Sequence, residues 1–182
     1  HDIYSAFPEA KQWGKTLDII RDEYSCATLQ FLPQCHIDGN TIERKEVVGF
    51  IGLRGRNIRN ELETLFPSQI VGKTIVYIYF GEFASSSIQW MNLENIKNCT
   101  FITPDSLNNA PVPNNLIILR NKFSHPDMIA SSDIVFTKAG YSTLATALAH
   151  NKPVISCDRE GFREVDAIKQ FMLQNRVGLI ID

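Results

Sequence analysis

The densest chemistry in the sequence lies in Thr137–Thr143, TKAGYST. A strand-like run ends here, Gly140 permits a tight turn, and Ser142 and Thr143 stand where a helix begins. The unpaired N–H groups and the positive end of the helix dipole make such a junction an anion site. The two hydroxyls add donors and Lys138 adds a charge. The plain alternative is that Gly140 only turns the chain and Ser142 or Thr143 only caps the helix. A second candidate is DREGFREVD, 158–166, which follows the next strand-like run. Arg159 suits a phosphate, and carboxylates such as Glu164 suit sugar or ribose hydroxyls. Acids at a helix start are also favourable on dipole grounds alone. A third is FGEFASSS, 80–87, where Gly81 lets the backbone approach a ligand and Glu82, Ser85 and its serine neighbours supply polar groups. A serine capping cluster is the alternative there. Phe123 sits in a further loop, RNKF. Neither a G-x-x-x-x-G-K-[ST] loop nor a G-x-G-x-x-G fingerprint is present.

These segments share one property: each follows an apolar run that reads as a strand. KTIVYIYF (73–80) is nearly continuous and β-rich, the mark of a strand buried on both faces. CTFITP (99–104), NNLIILR (114–120), IVFTKAG (134–140), KPVISCD (152–158) and GLIID (178–182) continue the series. Helical stretches fall between them at 87–96, 124–132, 141–151 and 162–175. Alternation of this kind predicts βαβ units, a parallel sheet and helices on both of its faces. Ligands then bind outside the carboxyl ends of the strands, where the candidate turns lie. Upstream, residues 10–25 read as an amphipathic helix with Trp13, Leu17, Ile20 and Tyr24 on one side. Residues 32–46 read as a polar linker, and 56–66 as a short helix.

Composition narrows the function classes. The 182 residues are 44% hydrophobic and 21% charged, ordinary for a globular chain that buries its own core. A formal net charge of −2 argues against nucleic acid as a partner. No apolar run reaches the ~18 residues of a membrane span, and no signal-peptide pattern opens the sequence. Cys26, Cys35, Cys99 and Cys157 form no C-x-x-C pair, and the four histidines are scattered. This predicts no metal site, and reduced thiols in a cytoplasmic setting.

From about Val48 to Asp182 the order of segments resembles the C-terminal, donor-binding half of two-Rossmann-domain (GT-B) glycosyltransferases. It is similar to the family 28 C-terminal domain, whose members include the bacterial transferase that adds N-acetylglucosamine to lipid-linked muramyl peptide. It also resembles the glycosyltransferase-like region of plant arabinose kinases. The likeness is strongest over 131–166, SSDIVFTKAGYSTLATALAHNKPVISCDREGFREVD. It implies an α/β, Rossmann-like three-layer domain at 47–182, preceded at 1–46 by the tail of an N-terminal acceptor domain and a linker. Within 47–182, residues 47–62 resemble the interdomain connector. The implied donor is a nucleoside diphosphate sugar, expected to be a uridine diphosphate sugar, bound as a substrate without metal or other cofactor. By the same likeness Gly81 and the serines after it face the diphosphate, and Phe123 lies by the base. Gly140, Ser142 and Thr143 hold phosphates, Lys138 or Arg159 assists, and Glu164 lies near the sugar or ribose. The catalytic base is expected in the other half. One position departs from the pattern: the family's ribose-gripping Glu is replaced by Thr146. A non-catalytic nucleotide-binding domain and a nucleotide-sugar 2-epimerase are the competing readings.

Overall fold

The computed structural model describes residues 7–37, 39, 41–81, 88–105, 107, 110–120, 122–158, 162 and 164–181. A 3-10 turn at Pro8–Gln12 leads into helix α1 (Gly14–Ser25). Strands β1 (Gln30–Leu32) and β2 (Lys45–Val47) pair in parallel. Helices α2 (Arg59–Leu65) and α3 (Pro67–Ile70) precede the main sheet. The sheet contains β3 (Thr74–Tyr79), β4 (Cys99–Thr103), β5 (Leu116–Ile118), β6 (Ile134–Lys138), β7 (Val154–Cys157) and β8 (Gly178–Ile181). Between them lie a 3-10 segment (Trp90–Asn95) and helices α4 (His125–Ser131), α5 (Tyr141–Ala149) and α6 (Glu164–Asn175).

All six strands are parallel, in the order β5-β4-β3-β6-β7-β8. The chain winds outward from β3 to β5, returns, and winds the other way from β6 to β8. Period-two alternation divides the sheet's side chains between two cores. Ile75, Tyr77, Ile102, Ile117, Val135 and Val154 meet Leu62, Ile129, Leu144, Ile168 and Met172 from the helices. Val76, Ile78, Phe101 and Leu116 meet Trp90 and Leu93 on the opposite face. The Rossmann-like α/β expectation therefore holds, with one correction: among the described residues the helices cover one face, and the stretch expected as a helix at 87–96 is a 3-10 segment, Trp90–Asn95, on the other.

Two upstream expectations change. The 32–46 stretch is bounded by strands, because β1 and β2 are only three residues each and carry no alternation to recognise. Helix α1 buries no residue fully. Trp13, Leu17 and Ile20 are half-buried and Tyr24 is exposed.

Residues 48–58 belong to no helix or strand, yet five of their N–H groups, from Ile51 to Ile58, are held by side chains distant in sequence. Ile51 donates to Tyr141 Oη at 3.0 Å, Leu53 to Thr146 Oγ1 at 3.1 Å and Gly55 to His150 Nε2 at 3.0 Å. Arg56 donates to Asp127 Oδ1 at 2.6 Å and Ile58 to Ser131 Oγ at 2.8 Å. The strap thus lies along α5 and α4, held by their side chains. The approach is close enough to require glycine. A Cβ at Gly55 would stand 2.0 Å from the Pro126 carbonyl oxygen, and one at Gly52 2.5 Å from that of Ala145. Gly49 has open space around it. Gly55→Ala is therefore expected to lower stability by at least ~2 kcal/mol through overpacking, whereas Gly49→Ala should change it by less than ~1 kcal/mol. Urea denaturation midpoints of the two variants check this.

Candidate functional site

The winding reverses between β3 and β6, and in an open α/β sheet the crevice beyond that reversal is the natural ligand site. Gly81 follows β3 with φ +69°, a left-handed conformation that favours glycine. Its Cα faces Lys138 at the end of β6, so that a Cβ would lie 3.6 Å from the ammonium. Asp105, just after β4, joins them. Burial raises its carboxyl above the ordinary range, opposed by the Phe80 N–H and the Lys138 ammonium. Its Oδ2 is buried without a hydrogen-bond partner among the described residues. Sequence reasoning missed Asp105. The available signal was its place immediately after a strand, in the same register as the turns singled out.

From Lys138 the chain passes through Gly140 into α5. Gly140 is the N-cap, extended at φ −148°, and no side chain caps the helix. The capping alternative for Ser142 and Thr143 is thereby overturned, since both lie within the first turn. The first internal bond runs from Leu144 N to Gly140 O at 3.2 Å. The preceding N–H groups, of Tyr141, Ser142 and Thr143, have no partner within the helix and carry the positive end of its dipole.

Behind this turn is a group of rings. Tyr77 and Tyr79 project from one face of β3, and His125, first residue of α4, packs against them with its ring 4.2 Å from that of Tyr79. His125 Nδ1 lies 3.0 Å from Tyr77 Oη and Nε2 lies 3.4 Å from Thr143 Oγ1. Thr143 is 9% exposed, so its hydroxyl sits at the inner wall of the turn.

Ser142 and Glu164, at the starts of α5 and α6, line a cavity of about 550 Å³ with Tyr141 and Ile168. Its other wall comes from upstream, including Tyr24, Phe31, Leu32, His36 and Ile42. Another hollow of about 310 Å³, bordered by Lys73, Asn98 and Cys99, opens at the amino ends of β3 and β4, away from the crevice.

Thr146 lies elsewhere. It is 1% exposed, and its hydroxyl donates to Ser142 O at 2.9 Å while accepting from Leu53 N–H. It faces the strap rather than the cleft, so the ribose contact expected at this position is replaced by a structural one. Phe123 packs half-buried against the helix-side core. Glu82, Ser85 and Arg159 lie outside the described residues. The structure thus groups Gly81 with Lys138, Thr143 with His125, and Ser142 with Glu164, while Thr146 stands apart.

No family model matches the sequence, and no curated protein is significantly similar to it. Solved structures are. Spinosyn forosaminyltransferase SpnP is 13% identical over 84% of this chain and 42% of its own, with a TM-score of 0.60. The glycotransferase of kitacinnamycin is 11% identical over 98% of this chain and 51% of its own, with a TM-score of 0.63. The calicheamicin glycosyltransferase CalG4 is 13% identical over 98% and 47%, with a TM-score of 0.57. The fold is therefore the Rossmann-like one of GT-B glycosyltransferases, and the chain spans about half the length of these three proteins. Among the described residues no helix is long and apolar enough to cross a membrane.

The burial of His125 has a measurable consequence. Desolvation pulls its imidazole from the ordinary 6.5 down to about 4. In the unfolded chain the ring protonates near 6.5. Between these values the unfolded state holds more protons, so stability falls as pH falls through this window and is full above it. Comparing urea midpoints at pH 7.5 and 4.5, His125→Gln should remove up to ~3 kcal/mol of the wild-type acid destabilisation.

Proposed function

We propose that this chain is the donor-binding half of a glycosyltransferase that takes its sugar from a nucleoside diphosphate sugar, with uridine diphosphate the leaving group. The observation that carries the reading is the convergence, at the sheet's reversal point, of Gly81, Lys138 and the N–H groups that open α5 and have no partner within the helix. These are groups suited to a diphosphate. As the glycosidic bond breaks, negative charge grows on the departing phosphate. Fixed N–H dipoles and an ammonium stabilise that charge without reorganising. The likeness to solved glycosyltransferases supports the same assignment at the level of fold. The narrower likeness to family 28 and to the arabinose kinase region belongs to this proposal and rests on the motif alone.

The acceptor's base belongs to the other half in this reading. Turnover needs donor and acceptor held in one cleft, a positioning effect worth several kcal/mol. A second reading, a nucleotide-binding domain without chemistry, is favoured by Thr146, which stands in the family's ribose-gripping position and is turned to the strap.

Uridine diphosphate at millimolar concentration should shift the amide resonances of Gly81, Lys138 and Tyr141–Thr143. Shifts confined to the hollow beside Lys73 and Asn98, or none, defeat the proposal. Thr143→Ala should weaken the complex roughly 10-fold or more, since a hydrogen bond to a charged group contributes ~1.5–3 kcal/mol. The chain of residues 1–182 should bind without turning over. Transfer at the rate of a two-domain parent would place the base within it.

A further inference from the structure

Each tautomer of His125 leaves one hydroxyl hydrogen of the Tyr77–His125–Thr143 cluster without an acceptor among the described residues, and the two differ in whether that hydrogen is the core phenol's or that of Thr143 in the first turn of α5. Tyr77 is 2% exposed, and among the described residues its hydroxyl has a single partner, His125 Nδ1 at 3.0 Å. Burial also pushes the phenol's pKa upward, so the oxygen keeps its hydrogen. If Nδ1 carried the imidazole's hydrogen and donated to Tyr77, the phenol's own hydrogen would be buried without an acceptor, which is costly. The phenol therefore donates and Nδ1 accepts. A neutral imidazole then carries its hydrogen on Nε2. That nitrogen faces Thr143 Oγ1 at 3.4 Å and donates to it.

The consequence falls on Thr143. Its oxygen receives the imidazole N–H, so its own hydrogen points elsewhere. The residue is nine-tenths buried and its hydroxyl has no other partner among the described residues. It belongs to the first turn of α5, beside the N–H groups of Tyr141, Ser142 and its own backbone, which have no partner within the helix. A donor hydrogen without an acceptor, at the wall of a turn already rich in donors, fits the oxygen of an anion. With the opposite tautomer, Thr143 would donate to His125 and turn lone pairs toward that anion.

We propose that Tyr77 and His125 are positioning residues: they fix the Thr143 hydroxyl as a hydrogen-bond donor toward a phosphoryl oxygen bound at the start of α5. This rests on the donor-site reading above. Neither residue touches the ligand. They act through Thr143 by a one-directional chain, phenol to imidazole to hydroxyl to phosphoryl oxygen, in which each bond polarises the next. Tyr77 belongs to β3, His125 to α4 and Thr143 to α5, so the relay also reports the relative placement of the three elements around the reversal point.

The test joins a spectroscopic readout to an affinity. In protein labelled with 15N at histidine, His125 should show a protonated Nε2 and a bare Nδ1 before any ligand is added. Tyr77→Phe keeps the ring and removes only the hydroxyl. It should release the tautomer preference and weaken uridine diphosphate about tenfold, with an unchanged circular dichroism spectrum. In a Thr143→Ala background the same substitution should cost no further affinity, because the relay then ends on nothing. Inorganic pyrophosphate should show the same pattern, since the contact is to phosphate alone. A His125 protonated on Nδ1 in the wild type overturns the relay even if Tyr77→Phe fails to fold. Equal uridine diphosphate affinity in wild type and Tyr77→Phe also overturns it, while leaving the donor site standing. Wild-type protein that binds neither probe defeats the donor-site reading and the relay with it.

Discussion

Backbone N–H groups that leave regular structure need acceptors, and the strap at residues 48–58 finds them on side chains. Tyr141, Thr146 and His150 of α5 and its C-terminal end, and Asp127 and Ser131 of α4, each accept one strap N–H. The two helices are thereby fixed to a common rail. Their amino ends frame the crevice, so the placement of His125 against Thr143 depends on how the rail seats them. Arg59 extends the arrangement. Its guanidinium forks onto Asp133 at 2.8 and 3.0 Å, and Asp133 Oδ2 also accepts the Ile75 N–H at 2.8 Å. Helix α2, the start of β3 and the entry to β6 are thus tied at the base of the reversal point. Despite the cost of burial, these carboxylate contacts leave the Arg59 pKa raised.

The crevice has a graded polarity. Near the sheet axis Gly81, Lys138 and Asp105 bring together backbone, cation and a carboxyl with a buried oxygen that has no partner among the described residues. One step outward, α5 supplies N–H groups and a hydroxyl. Further out, Ser142 and Glu164 face a cavity whose other wall is largely apolar and aromatic. The polarity thus runs from charged groups at the sheet axis to a mixed surface outside.

Much of this was legible from residue order. The strand at Thr74–Tyr79 and the helix at Tyr141–Ala149 announced themselves by apolar runs and by the turn at Gly140. The candidate turns were picked out in turn, because parallel sheets place ligands at strand ends. What stayed hidden is long-range. Asp133 is only one residue of the 131–166 stretch in the sequence, and the structure alone gives it the Arg59 fork and the Ile75 N–H. His125 has no local motif, because its partners are 48 and 18 residues away. Thr146 illustrates the opposite failure: its place in a pattern suggested a ligand contact, but on a helix one more turn points a side chain to a different neighbour. The β1–β2 pair was invisible because strands of three residues carry no period.

The rail has a temporal side. Its acceptors lie 71 to 95 residues downstream of the N–H groups they satisfy. Bonds of such sequence separation close large loops, and that closure is entropically slow. During synthesis the strap leaves the ribosome long before Tyr141, Thr146 and His150 exist. Until α5 has formed on the sheet, Ile51, Leu53 and Gly55 can bond only to water. The segment that fixes the two helices to one another thus cannot close its own bonds before the first turn of α5 is in place.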